Sequence, residues 1–331
     1  KNTVVVKNES DIFFYNLNKE GKLNEKFLDD LFLNKDLIDN FYSPVDLDDL
    51  PYPDWLSYSK KYRLRNDFFS LKEKVAIPIL ATRGCPYSCF FYCTYPLQQG
   101  RKVRARSVKN IIEEIKYWKK ALGANKFVFR DPVFSINRKH TIEFCNEVIS
   151  QKLNITFMVE THLNNLDDEM IPLLKKAGLK LAYVGVESSS HFVLKDMKRF
   201  TVEHDKQFQV IKKCEDSGIK VKTMFIIGNP EDTKDTIIAS IEYAKYLPSL
   251  YSQFSVFTPY PGTPAYNEFK DIITETKLEN FNQYNLTFNH KNLSKEDVSN
   301  LKSLAYYKYY FNLKKIFQIL KYSLKSKLYN I

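Results

Sequence analysis

From residue 75 onward the chain alternates between short runs of apolar and β-branched residues and longer stretches in which apolar residues recur every three or four positions. The first pattern is that of a buried strand, the second that of a helix packed on one face. Strands are expected at about 75–81, 126–130, 155–160, 181–187, 221–227 and 254–258, with helices at about 108–122, 138–151, 167–177, 203–217 and 233–247. Gly123, Gly178 and Gly218 stand just past three of the helices, where a left-handed cap favours glycine, and Ser107 and Asp167 stand where N-caps belong. Six strand–helix repeats with no hairpin signal predict an α/β protein with a parallel sheet, whose curled form is a partial (β/α)6 TIM barrel.

The barrel unit is expected over residues 75–265, after an N-terminal lead-in at 1–74 and before a mostly helical C-terminal extension at 266–331. In the lead-in, residues 3–6 and 11–15 predict a small hairpin turning at 8–10. Pro51 and Pro53 then interrupt regular structure. In the extension, Ser294 with Glu296 and Asp297 opens a helix expected to run through Leu301, Leu304, Ala305 and Tyr309 towards Leu320, either lying across the barrel opening or its base or, more plainly, packing on the barrel as an appendage.

Composition narrows the class. With 331 residues, 44% of them hydrophobic, the chain can bury a full core, and no run approaches the ~20 apolar residues of a membrane span. The first residues lack a signal-peptide design, and the missing initiator Met points to a fragment or a trimmed chain. Five cysteines, three of them clustered, argue against a disulfide framework and for a reducing, cytoplasmic setting. A net charge of +11 admits an anionic partner, but the lysines are scattered until 302–327, so nucleic-acid binding is not expected.

The candidate chemistry sits in residues 82–96, where Cys85, Cys89 and Cys93 follow the first strand. Thiolates are soft ligands for iron–sulfur clusters, zinc or copper, and no fourth Cys or His is near in sequence. Three ligands suggest a four-iron cluster with one iron left open, the mark of a catalytic centre. On a parallel barrel the reactive groups belong at the C-terminal strand ends. Those ends carry the Cys loop, Asp131, Glu160 with His162, Glu187 with Ser188, and the segments 228–231 and 259–262, which would meet at one mouth.

This arrangement resembles the radical S-adenosylmethionine (SAM) enzymes, whose usual signature is CxxxCxxC with an aromatic before the last Cys. Here the run is CxxxCxxxC, with one additional residue in Phe90-Phe91-Tyr92 and the aromatic kept as Tyr92. Segments 129–134, 159–162, 184–190, 225–231 and 257–264 look like the cobalamin-linked branch, and 46–54 looks like the stretch that joins a cobalamin domain to the radical domain. The resemblance implies a [4Fe-4S] cluster on Cys85, Cys89 and Cys93 that reductively cleaves SAM to a 5'-deoxyadenosyl radical. It also implies an electron donor such as flavodoxin or ferredoxin, a small-molecule or other substrate that it does not identify, and methyl transfer as the commonest activity of the branch. The cobalamin motif DxHxxG is absent, as is G-x-G-x-x-G, so either a cobalamin domain lies outside this sequence or the radical is used directly.

The resemblance assigns Tyr92 to adenine, Asp131 to the SAM amine, Glu160 or Glu187 with Ser188 to ribose or amine, and Arg199 to the methionine carboxylate through its fork. Each has a plainer competitor. These are loop packing for Tyr92, a turn before Pro132 for Asp131, a salt bridge across the mouth for the glutamates and an ion pair for Arg199; His162 reads as a candidate proton donor near the substrate or, more plainly, as a structural residue. Cys145 and Cys214 read as buried hydrophobes, too few for the second cluster of a methylthiotransferase. From another class, a basic zinc or iron–sulfur module docking nucleic acid would hold metal without consuming SAM.

Overall fold

Six parallel strands pair in the order in which they occur: β1 (Ala76–Ile79), β2 (Lys126–Phe129), β3 (Thr156–Thr161), β4 (Leu179–Glu187), β5 (Lys220–Ile227) and β6 (Tyr251–Val256). This computed structural model describes residues 9–22, 45–61, 76–200 and 202–328. The principal helices are α1 (Ser10–Lys19), α2 (Val108–Leu122), α3 (Arg138–Ser150), α4 (Met170–Ala177), α5 (His204–Asp216), α6 (Lys234–Tyr246), α7 (Lys295–Tyr310) and α8 (Leu313–Leu328). With α2 to α6 filling the crossovers, the sheet is the partial barrel that the alternating pattern predicts.

Strand burial follows the pleat. In β3 and β5 every second residue is buried, including Phe157 and Val159 or Val221 and Phe225. The intervening set, among them Met158, Glu160, Tyr183, Gly185, Met224 and Ile226, stays partly exposed and forms the concave face. Register aligns Glu160 with Tyr183 and Gly185 with Met224, which brings the strand ends onto that face together. Between β2, β3 and α3 the core is aromatic: the Phe129 ring lies 4.7 Å from Phe134, 5.3 Å from Phe144 and 5.7 Å from Phe157.

The caps are those expected. Ser107 accepts from the Asn110 amide, Gly123 and Gly178 close α2 and α4 in the left-handed region, and Gly218 does so one residue past the Ser217 cap of α5. Asp167 caps from one turn ahead of α4, accepting from the Met170 amide at 2.8 Å.

Two expectations are corrected. Residues 11–15 belong to the helix α1, not to a hairpin strand, because Ile12, Phe13, Asn16 and Leu17 bury at helical spacing; residues 1–8 and Val75 lie outside the described residues. The C-terminal helix does not continue to Leu320. It stops at Tyr310, where the Asn312 amide donates to the Tyr309 carbonyl at 2.7 Å while its oxygen accepts from Lys315 N at 2.9 Å, ending α7 and starting α8.

Of the two placements expected for α7 the structure has the packing one: the helix runs along the open edge of β6 rather than across the mouth or the base. The Tyr310 hydroxyl accepts from Ser252 N at 3.1 Å and donates to Ser252 O at 2.7 Å. One helical turn earlier the Tyr306 hydroxyl accepts from Phe254 N at 3.2 Å and donates to Phe254 O at 3.3 Å. Two residues further along the strand, Val256 N donates to Gln283 O at 2.8 Å. Residues i and i+4 on a helix advance about 6 Å, close to the two-residue repeat of a strand, so a tyrosine pair matches the edge groups. Tyr306→Phe and Tyr310→Phe should each cost about 1–3 kcal/mol by orphaning buried backbone groups. Urea unfolding at neutral pH measures this, and losses below about 0.5 kcal/mol would mean that water replaces the hydroxyls.

Candidate active site

The Cys loop is stitched at its base. After β1 the chain forms a two-residue antiparallel ribbon, Thr82–Arg83 against Arg104–Ala105, which no sequence signal disclosed. Inside it Cys85 N donates to Gly100 O at 3.2 Å and Arg101 reaches the Pro86 carbonyl at 2.6 Å. Gly84 has φ +90°, and a Cβ there would stand 2.1 Å from the Lys102 carbonyl oxygen, so only glycine allows the two arms to approach. Asp131, at the end of β2, fixes the loop's start: its carboxylate accepts from the Thr82 amide, from the Thr82 hydroxyl at 2.6 Å and from Ala81 N at 3.2 Å.

Within the loop, Ser88–Phe91 forms a 3₁₀ turn, and both Tyr92 N and Cys93 N donate to the Cys89 carbonyl, at 3.2 and 3.1 Å. The additional residue is thus absorbed in a turn that joins Cys89 to Cys93. Phe91 is buried, with its ring 6.3 Å from Phe269 and the Lys198 ammonium 4.3 Å above it; the Tyr92 ring packs 6.1 Å from Phe257. Cys85 and Cys89 are buried and Cys93 half-buried. Burial raises the Cys85 thiol and pushes Cys93 up to about 12, so metal would displace protons on binding. Among the described residues no three His, Cys, Asp or Glu side chains gather as a single metal ion needs. The all-sulfur donor set is one that would suit the irons of a cluster.

Against this loop stands Arg199. One guanidinium nitrogen lies 3.6 Å from Cys89 Sγ; the other donates to Gly185 O at 3.1 Å and pairs with Glu187 at 3.6 Å. The turn before it is held to the loop by the Ser88 hydroxyl, which donates to Lys198 O at 2.7 Å. Glu187 ends β4 at a register shift with φ +68°, a costly conformation for a residue with a side chain. Gly185 makes the room: a Cβ there would lie 2.3 Å from the Glu187 carboxylate and 2.8 Å from Arg199 Nη2. In this structure the Arg199 fork faces Cys89, the Gly185 carbonyl and Glu187. Burial raises Glu187, with Arg199 opposing it, and also raises Tyr92.

Glu160 is the more accessible carboxylate. It accepts from the Tyr95 hydroxyl at 3.1 Å and pairs with Arg130 at 3.4 Å, while burial raises its carboxyl. Tyr95 and Arg130 were missed, although one follows the last Cys by two residues and the other directly precedes Asp131. His162 is buried between Tyr87 (5.2 Å) and Phe200 (5.8 Å), and burial with Arg199 lowers it to about 4, which keeps it neutral. Ser188 is buried and bonds Ser190 N at 3.1 Å, shaping its own loop. Cys145 and Cys214 are buried apart from the loop, each pushed up to about 12.

Residues 79–244, half of the chain, match the Radical SAM superfamily. The chain belongs to the radical SAM superfamily. Members use a [4Fe-4S] cluster and SAM, and a nucleic-acid-docking metal module is not supported. It is 27% identical to an uncharacterized methyltransferase of Pyrococcus horikoshii over 81% of this chain and 57% of that protein. It is 29% identical to the bacteriochlorophyllide d C-12(1)-methyltransferase of Chlorobaculum tepidum, over 69% and 50%. The anaerobic magnesium-protoporphyrin IX monomethyl ester cyclase of Rubrivivax gelatinosus is 29% identical, over 72% and 42%. The chain thus spans about half the length of these curated relatives. In fold it is similar to the cobalamin-dependent SAM radical enzyme OxsB with aqua-cobalamin and SAM bound (TM-score 0.60, 14% identity, 79% of this chain and 44% of that one). It is also similar to the radical SAM methyltransferase TsrM from Kitasatospora setae (TM-score 0.55, 20% identity, 60% and 37%).

In this radical SAM fold Asp131 is a positioning residue with no accessible oxygen, contrary to its expected place at the SAM amine. Burial lifts its carboxyl from 3.8 to about 6 despite the three donors. The folded chain therefore holds this proton more tightly than the unfolded chain, and its contribution to stability is lost as pH rises from about 4 to about 6. Over that window the loss is on the order of 3 kcal/mol. Urea titrations across it should show a falling stability in wild type and a shallower fall in Asp131→Asn; parallel curves would sink the assignment.

Proposed function

We propose that this chain carries the catalytic core of a radical SAM methyltransferase, with residues 75–265 as the barrel and Cys85, Cys89 and Cys93 as the cluster ligands. The observation that carries the reading is a stitched three-thiol loop seated on a concave parallel sheet, with a buried guanidinium 3.6 Å from one sulfur. When bound, a reduced four-iron cluster supplies the electron that cleaves SAM. The chain's own residues hold and shield: Arg199 donates to Cys89, which offsets thiolate charge, and Glu187 balances Arg199 so that the cation is tolerated in burial. Glu160, with Tyr95 and Arg130, is the polar group left at the mouth for the ribose or amine of SAM. Tyr92 screens the loop's inner side with its ring.

Methylation is the chemistry we assign, because relatives matching most of this chain are named methyltransferases. Cobalamin is the methyl carrier we assign, because the solved structures of similar fold, OxsB and TsrM, hold cobalamin, although the DxHxxG motif does not occur in the sequence. A mainly apolar cavity of about 660 Å³ lies between α1, residues 47–55 and the β1 edge; it reaches Arg130 but is lined by none of the three cysteines, Glu187 or Arg199.

Anaerobic reconstitution with iron and sulfide, followed by reduction with dithionite or flavodoxin in the presence of SAM, tests the reading. Wild type should release 5'-deoxyadenosine or, with cobalamin added, S-adenosylhomocysteine, and Cys93→Ala should release neither. Arg199→Lys keeps the charge but loses the fork and should lower cluster affinity or turnover by roughly 10–100-fold. A chain that binds four irons yet cleaves no SAM under any of these conditions would overturn the proposal, as would zinc held in place of iron.

A further inference from the structure

The last helix carries its apolar residues on the wrong side for a packing element. Helix α8 faces the barrel with Lys315, whose ammonium donates to the Ser249 carbonyl and lies 4.7 Å from the Tyr309 ring, and with Tyr322, whose ring sits 5.3 Å from Lys220. These two are seven residues apart and so share one face. On the opposite face stand Leu313, Phe317, Leu320 and Leu324, at the i, i+4, i+7, i+11 spacing of a single stripe, with relative exposures of 86, 72, 54 and 59%. Phe311 and Tyr307, stacked at 5.4 Å and both exposed, continue the apolar surface past the start of the helix.

Charge indicates what covers this stripe. From residue 298 to 331 the sequence has seven lysines and no aspartate or glutamate. Lys314 and Lys321 are exposed and, at 100° per residue, flank the stripe on one side. A second copy of this helix would bring lysines against lysines, which disfavours self-docking. A surface that is apolar beneath and anionic above suits both features, and large apolar side chains with a lysine border are the pattern of a helix lying in a bilayer interface. No helix of the described residues is long and apolar enough to cross a membrane, so the contact would be flat.

We propose that α8 docks the protein on an anionic lipid surface, with Leu313, Phe317, Leu320 and Leu324 inserted among the acyl chains and Lys314 and Lys321 at the headgroups. The attraction is worth a factor of about five per lysine, so Lys314→Gln with Lys321→Gln should weaken binding roughly 30-fold. The experiment is flotation of the full chain with vesicles of phosphatidylcholine alone and of phosphatidylcholine mixed with phosphatidylglycerol, at low and high salt. Circular dichroism and the thermal midpoint of each variant show that it is folded, and sedimentation velocity is run alongside. Wild type should float with the anionic vesicles only and detach at high salt, and Phe317→Glu with Leu320→Glu should stay at the bottom while remaining folded. Equal binding to neutral vesicles, anionic binding that survives the Glu substitutions, or no flotation at all would overturn the proposal. So would a dimer dispersed by the Glu substitutions with no lipid binding, which would assign the stripe to a second copy.

Discussion

A buried guanidinium must be given a counter-charge and donors' partners on every side, and the concave face of this protein is arranged around that demand. Arg199 is accommodated because Glu187 turns back into the left-handed region to meet it, because Gly185 has no side chain in the way, and because the Gly185 carbonyl takes one of its hydrogens. What remains of the fork reaches the sulfur of Cys89. The local irregularities of β4, its register shift and its strained final residue, thus have one cause. Removing either charge would leave the other buried and alone, which is far costlier than never having placed the pair.

The Cys loop is held from three directions that differ in chemistry. Asp131 grips its first residues through backbone and hydroxyl donors, the Thr82–Arg83 ribbon closes its base, and Phe91 and Tyr92 anchor its tip by ring packing. The additional residue of the CxxxCxxxC run fits because the Cys89 carbonyl accepts two amides at once, tightening the chain where it has grown longer.

The six strands and the helices between them were legible in the sequence because burial on a pleated sheet and on a packed helix each imposes its own period. The strand ends were legible for the same reason: Glu160 and Glu187 stand out as charges terminating apolar runs. Roles were harder to read than positions. Nothing in the sequence distinguishes a buried carboxylate that faces a ligand from one such as Asp131 that faces its own backbone, since both require donors and only three-dimensional placement supplies them. The α1 segment misled because aromatic residues suit strands and helices alike when the window is five residues long. The destination of α7 was illegible, since tyrosines at four-residue spacing read as ordinary packing until a bare strand edge lies alongside.

That edge has a consequence for how the molecule behaves among its own copies. A six-stranded open sheet has two rims, and an uncovered rim is a template onto which another chain can add a strand. By lending hydroxyls to the Ser252 and Phe254 backbone, Tyr306 and Tyr310 make a helix stand in for a seventh strand, and the β6 rim is covered by the chain itself. On this side the barrel can then stay unclosed without the polymerisation hazard that an uncovered rim ordinarily carries.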